Sequence, residues 1–258
     1  LTTMHLAVAS GNLQLVNFFI KDGSYLQLID KPALNNLSPL HIACTFGLLE
    51  VAQILIDNGG YPETVASAYP YFKQDSSAQR VIDFWLKNGA TPSCTPILLA
   101  ALSGHLEVVQ FLLERKCYAA QEMNRMKGYL SDPVSCSIVA QSEKLLKFLL
   151  DTLPYDPNIV DRTGMTPLLL VAYACNNSKI TELLMLKGAN ISVINPNNGN
   201  SAIHYAVMMG HESFVETLCN AKKNSEELHI AVNLTNVLQP NTPLQLASQI
   251  QDEETRER

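Results

Sequence analysis

Apolar residues in this chain come in short bursts with helical spacing, separated by polar punctuation. Val51-Ala52-Gln53-Ile54-Leu55-Ile56, Val108-Val109 with Phe111-Leu112-Leu113, and Leu145-Leu146-Lys147-Phe148-Leu149-Leu150 each place apolar side chains on one face of an α-helix. Upstream of each lies a second burst, often opened by a hydroxyl residue and proline, as in Ser38-Pro39-Leu40-His41-Ile42-Ala43, Thr95-Pro96-Ile97-Leu98-Leu99-Ala100, Thr166-Pro167-Leu168-Leu169 and Thr242-Pro243-Leu244-Gln245-Leu246-Ala247. Thr and Ser are good N-caps, and proline fits the first helical turn, where its missing N–H has no helical partner to lose. Gly11, Gly47, Gly104 and Gly210 fall between two bursts, and Gly23, Gly59, Gly89 and Gly188 follow the second. The pattern predicts helical hairpins with glycine at the reversals.

The fourth position of the capped motif provides a register mark. It falls at 5, 41, 71, 98, 135, 169, 204 and 245, with spacings of 36, 30, 27, 37, 34, 35 and 41 and a mean near 34. Two copies are eroded: Tyr71 stands at the mark in one, ahead of Val81-Ile82-Asp83-Phe84-Trp85-Leu86, and Ser135 in the other. A fixed period of this size is the mark of a stacked-repeat architecture, in which each unit buries an apolar face only against its neighbour.

Thr-Pro-Leu-His-x-Ala, an inter-helix glycine, a Val-Val-x-x-Leu-Leu second helix and a closing Gly-Ala together resemble the ankyrin repeat. Lys187-Gly188-Ala189-Asn190 and Asp161-Arg162-Thr163-Gly164-Met165-Thr166-Pro167-Leu168 are close matches. The resemblance covers almost the whole chain and implies an all-α ankyrin-repeat solenoid with short β-turn fingers. Residues 1–224 are expected to form seven repeats, with units 3 and 5 degenerate and an insertion at 118–131. Residues 225–251 are expected to form a C-terminal capping half repeat, and 252–258 a charged tail. The resemblance also implies that His5, His41 and His204 hydrogen-bond within their motif and to the next loop. Asn158, three residues before Asp161, resembles a target of asparaginyl hydroxylation; as a residue it reads first as a turn former.

The same resemblance places residues four and five beyond the mark in a concave groove, and others on the fingers. Phe46, Leu102, Tyr173, Met208 and Met209 would then form an apolar line, with Leu34, Asn35, Arg162, Met165, Asn197, Asn198 and Asn200 as finger candidates. The partner-binding set expected from this is Phe46, Leu102, Tyr173, Met208, Met209, Arg162, Met165, Asn198 and Asn200. Filling gaps between adjacent units is the alternative use of these side chains. Trp85 takes a leucine position of a second helix and is expected in the core, while Tyr69, Tyr71 and Phe72 in the eroded third unit, and the 118–131 insertion, are further places where binding or mere repacking would occur.

Composition narrows the function. The chain has 258 residues, 47% of them hydrophobic and 16% charged, and a formal charge of −6. That is enough apolar material for a core, and the acidic balance disfavours nucleic acid and anionic membrane surfaces. No apolar run reaches the ~18 residues of a membrane helix. Six cysteines at 44, 94, 117, 136, 175 and 219 show no metal or disulfide spacing, so reduced thiols in an intracellular, monomeric fragment are expected. The chain opens inside a motif, without initiator Met or signal sequence. No phosphate-binding, zinc-protease or serine-hydrolase motif occurs, and the carboxylates are scattered over second-helix faces. The expectation is a non-enzymatic scaffold, without cofactor or metal, that binds another protein or peptide segment. The competing reading is a targeting or regulatory module of a larger enzyme or bacterial effector, with catalysis outside these residues.

Overall fold

The computed structural model describes residues 1–23, 25–67, 83, 87, 94–117, 132–161, 163–223, 225–237 and 240–256. Among them, six hairpins follow one another: α1 (Thr3–Ala9) with α2 (Leu13–Lys21), α3 (Pro39–Thr45) with α4 (Leu49–Asp57), α5 (Pro96–Leu102) with α6 (Leu106–Glu114), α7 (Pro133–Val139) with α8 (Glu143–Thr152), α9 (Pro167–Ala174) with α10 (Ser178–Leu186), and α11 (Ala202–Met209) with α12 (Glu212–Ala221). Two more helices, α13 (Glu226–Asn233) and α14 (Pro243–Arg256), follow. The chain forms two compact blocks, one of residues 1–75 and 89–149 and the other based on Leu150–Arg258.

In the first block α1, α3, α5 and α7 pack side by side, as do α2, α4 and α6; in the second, α9, α11 and α14 do so, with α10 against α12. Helices of seven residues are too short to be stable alone, so burial holds them. Every residue of α3 and of α5 is buried. A helix that is apolar all round is one covered on all sides.

Helix α3 packs directly on α5, and Ala66 and Cys94 pair backbone to backbone in both directions, at 2.9 and 3.0 Å. Residues 68–82, 84–86 and 88–93, and with them Tyr69, Tyr71, Phe72 and Trp85, lie outside the described residues, as does the 118–131 insertion. At the other end α14 runs to Arg256, so the charge run beginning at 252 continues the helix of the half repeat, and α13 adds a helix that the periodicity did not mark.

The three register-mark histidines tie one hairpin to the next. His5 Nε2 donates to the Leu37 carbonyl at 2.9 Å, His41 Nε2 to Cys94 at 3.1 Å, and His204 Nε2 to Asn241 at 2.9 Å. In each ring Nδ1 accepts the N–H of the capping residue, from Thr2, Ser38 and Ser201. The backbone N–H at Nδ1 selects the neutral tautomer carrying its proton on Nε2. Where leucine takes the histidine's place the system is incomplete: beside Leu98, Thr95 Oγ1 is buried with no hydrogen-bond partner, whereas beside Leu169, Thr166 Oγ1 still accepts the Leu169 N–H at 3.3 Å. Thr95→Val is therefore expected to stabilise the fold by about 1 kcal/mol and Thr166→Val to destabilise it by about 1 kcal/mol. Urea unfolding midpoints of the two variants, moving in opposite directions, check this.

Candidate interaction surface

In the first block, α3 ends at Phe46, which is 54% exposed. The finger before α3 turns at Asn35 and Asn36, both in the left-handed region at φ 62° and 60°, where asparagine is tolerated better than most residues. Asn36 Nδ2 donates to the Val65 carbonyl and Ser67 N–H to the Asn35 carbonyl, so consecutive fingers stand side by side. Leu34 at the fingertip and Val65 on the next finger are exposed. Leu102 is not part of this surface. It is buried at the end of α5, because α3 and α7 close over both sides of that helix.

In the second block the candidates converge. Tyr173, half-buried on α9, meets Tyr205 of α11 edge to face with centroids 5.8 Å apart. Met208 is 45% exposed and Met209 half-buried at the end of α11. Asn198 Nδ2 donates to the Tyr205 hydroxyl at 3.0 Å, and Asn200 Nδ2 lies 3.8 Å from Met208 Sδ. The hub was missed from sequence: buried Asn195 donates through Nδ2 to the Thr163 carbonyl and to the Tyr205 hydroxyl, both at 3.0 Å. The run Asn195-Pro196-Asn197-Asn198-Gly199-Asn200 was the available signal, since amides can bridge neighbouring fingers where apolar residues cannot. Burial pushes the Tyr205 phenol above its ordinary pKa, and the amides of Asn198, Asn195 and Asn200 oppose that rise.

Two finger candidates are corrected. Met165 and Asn200 are buried: Asn195 Nδ2 of the next finger lies 3.5 Å from Met165 Sδ, and Asn200 Nδ2 faces Met208 of α11. Arg162 lies outside the described residues. Asn158 serves as a cross-link: its Oδ1 accepts the Asn190 N–H at 2.7 Å and its Nδ2 donates to the Gly188 carbonyl at 3.1 Å.

Among the described residues, most of the imidazoles hold structural hydrogen bonds. Three imidazoles are engaged in the ties described above; His105 and His211 bond the carbonyls of Thr45 and Ala172 in the preceding hairpins. All six cysteines are free and five are buried, burial pushing the Cys94 and Cys175 thiols up to about 12. No group of three metal-ligating side chains occurs among the described residues, and no helix there is long and apolar enough to cross a membrane.

Comparison with known proteins agrees with the geometry. A family model for ankyrin repeats in three copies matches residues 1–66 and 134–229, and a single ankyrin-repeat model matches 93–124. A putative ankyrin repeat protein of Acanthamoeba polyphaga mimivirus is 22% identical over 255 residues, covering 86% of this chain and 32% of the relative. The human transient receptor potential cation channel subfamily A member 1 is 24% identical over 235 residues, covering 84% of this chain and 20% of the channel. The chain thus spans about a third and a fifth of the lengths of these relatives. Among solved structures, the ankyrin repeat domain of Bcl-3 superposes with TM-score 0.63 at 23% identity, covering 95% of this chain and 93% of that one. The human ASB11 ankyrin repeat domain superposes with TM-score 0.51 at 23% identity, over 84% of this chain and 98% of that one. With matching models over most of its length and the hairpins, fingers and histidine ties in place, this chain belongs to the ankyrin-repeat family.

Proposed function

We propose that this domain is a non-catalytic scaffold that captures a segment of another protein on the finger side of its first helices. The observation that carries the reading is the exposure of large apolar side chains at the ends of α3 and α11, Phe46 and Met208, although the helices bearing them are otherwise almost wholly buried. In the second block Tyr173 packs on Tyr205, whose hydroxyl takes the Asn198 amide, and Met208 is exposed beside Asn200, a mixture of apolar anchor and adaptable hydrogen bonding suited to peptide recognition. The acidic balance of the chain, at −6, directs the choice away from nucleic acid. That the chain spans only part of its relatives' lengths favours a second reading, in which the scaffold serves as the targeting module of a longer polypeptide.

Peptides selected by display against the whole chain provide the test. Tyr173→Ala combined with Met208→Ala is expected to weaken their binding by roughly tenfold to a hundredfold, as loss of one or two anchors does. The thermal unfolding midpoint should stay within a few degrees, because neither side chain is fully buried. An unchanged Kd in calorimetry for the double variant and for Phe46→Ala moves the binding site elsewhere.

A further inference from the structure

The first hairpin carries its stacking residues uncovered. Leu6, one residue beyond the register mark, is 58% exposed, and Phe18 on α2 is 62% exposed, with Leu15 also exposed between them in sequence. At the Leu6 position of other hairpins Ile42, Leu99, Cys136, Leu170 and Tyr205 are buried, and at the Leu15 position Val51, Val108, Leu145 and Phe214 are buried; at the Phe18 position Phe111 is buried and Ile54 and Phe148 are half-buried. Within the first block that cover accompanies the packing of each hairpin on the one before it, α3 on α1, α5 on α3 and α7 on α5, with α4 on α2 and α6 on α4. A finished end of a repeat stack carries polar side chains at such positions. Here they are leucine and phenylalanine, on one face of the hairpin and continuous in register with the established interfaces.

We infer that the outer face of α1 and α2 is an internal stacking interface, built to receive one more helical hairpin of the same repeat type from upstream in the polypeptide. Its occupant is defined by chemistry: a hairpin whose exit face is apolar and whose finger adjoins Thr2. The greater length of both relatives is consistent with stacks that extend further.

The test uses the whole chain and its own sequence. A copy of residues 1–36 placed ahead of Leu1 reproduces the natural spacing of 36 between the first two marks and presents the same exit face that covers α3 and α4. Hydrogen exchange of the amides of the original α1 and α2 is expected to slow at least roughly tenfold in the extended chain, as covered helices do. Leu6→Lys with Phe18→Lys in the original hairpin should abolish that slowing and leave exchange in α3 and α5 unchanged. An added hairpin that stays non-helical by circular dichroism, or folds without slowing these amides, overturns the inference. So does an unextended chain that sediments as a dimer with α1 and α2 already protected, which would make a second copy the occupant.

Discussion

Replacing Gly47 with alanine is expected to destabilise the first block by about 3 kcal/mol or more, whereas the same change at Gly188 costs only about 1 kcal/mol. Both residues adopt left-handed backbone, at φ 69° and 89°, so each alanine meets the same backbone strain. They differ in what surrounds them. A Cβ at Gly47 would stand 2.5–2.8 Å from three atoms of the His105 ring, while at Gly188 nothing lies within 4 Å. The ring cannot simply move aside, because its Nε2 donates to the Thr45 carbonyl at 3.0 Å and links the second hairpin to the next. Alanine therefore adds overlap and a lost hydrogen bond to the strain. Chemical denaturation of the two variants measures the difference. Equal losses would mean that the His105 ring yields freely and that its bond to Thr45 contributes nothing.

Acid should loosen the same interfaces. Burial lowers the pKa of His41 from 6.5 to about 4, outweighing the carbonyls that favour its charged form, and burial also lowers His5 and His204. An unfolded histidine takes up its proton near pH 6.5, and folded His41 resists it down to about 4. The unfolded state thus binds more protons throughout that window. Stability is fully present above pH 6.5 and falls as pH drops toward 4, with His41 alone accounting for about 3 kcal/mol. The structural reason is visible at Nδ1, which accepts the Ser38 N–H at 3.1 Å and cannot carry a proton while that contact holds. Asp30 acts in the opposite sense: burial raises its carboxyl, so it resists acid unfolding slightly. Urea midpoints at pH 7, 5.5 and 4.5 check the prediction, and a profile without decline over that range contradicts it. The His41→Gln variant, less stable at neutral pH, should show a shallower decline than the parent.

The hairpins themselves were legible because the sequence repeats its own instructions. Ser38-Pro39, Thr95-Pro96 and Thr166-Pro167 open helices where expected, and Gly11, Gly47, Gly104 and Gly210 all have positive φ. The Asp132 carboxylate caps α7 through the Ser135 N–H even though that copy lacks the usual hydroxyl. The period alone did not show that α3 packs directly on α5, because spacing along the chain does not say which helices touch. The groove candidates were only half legible for the same reason. Phe46 and Leu102 occupy neighbouring positions of one motif, but one ends in solvent and the other is closed in by α3 and α7.

Local rules of capping, proline placement, glycine at reversals and a 3.6-residue apolar period act within a single hairpin, so the amino-acid order alone determined where helices begin and end and that they repeat. Which hairpins adjoin, that α3 meets α5 directly, and that the asparagine run folds down around Tyr205 depended on contacts between residues far apart in the chain. Burial belongs to the assembled stack and to no single segment, which is why the pattern of exposed side chains emerged only with the tertiary structure.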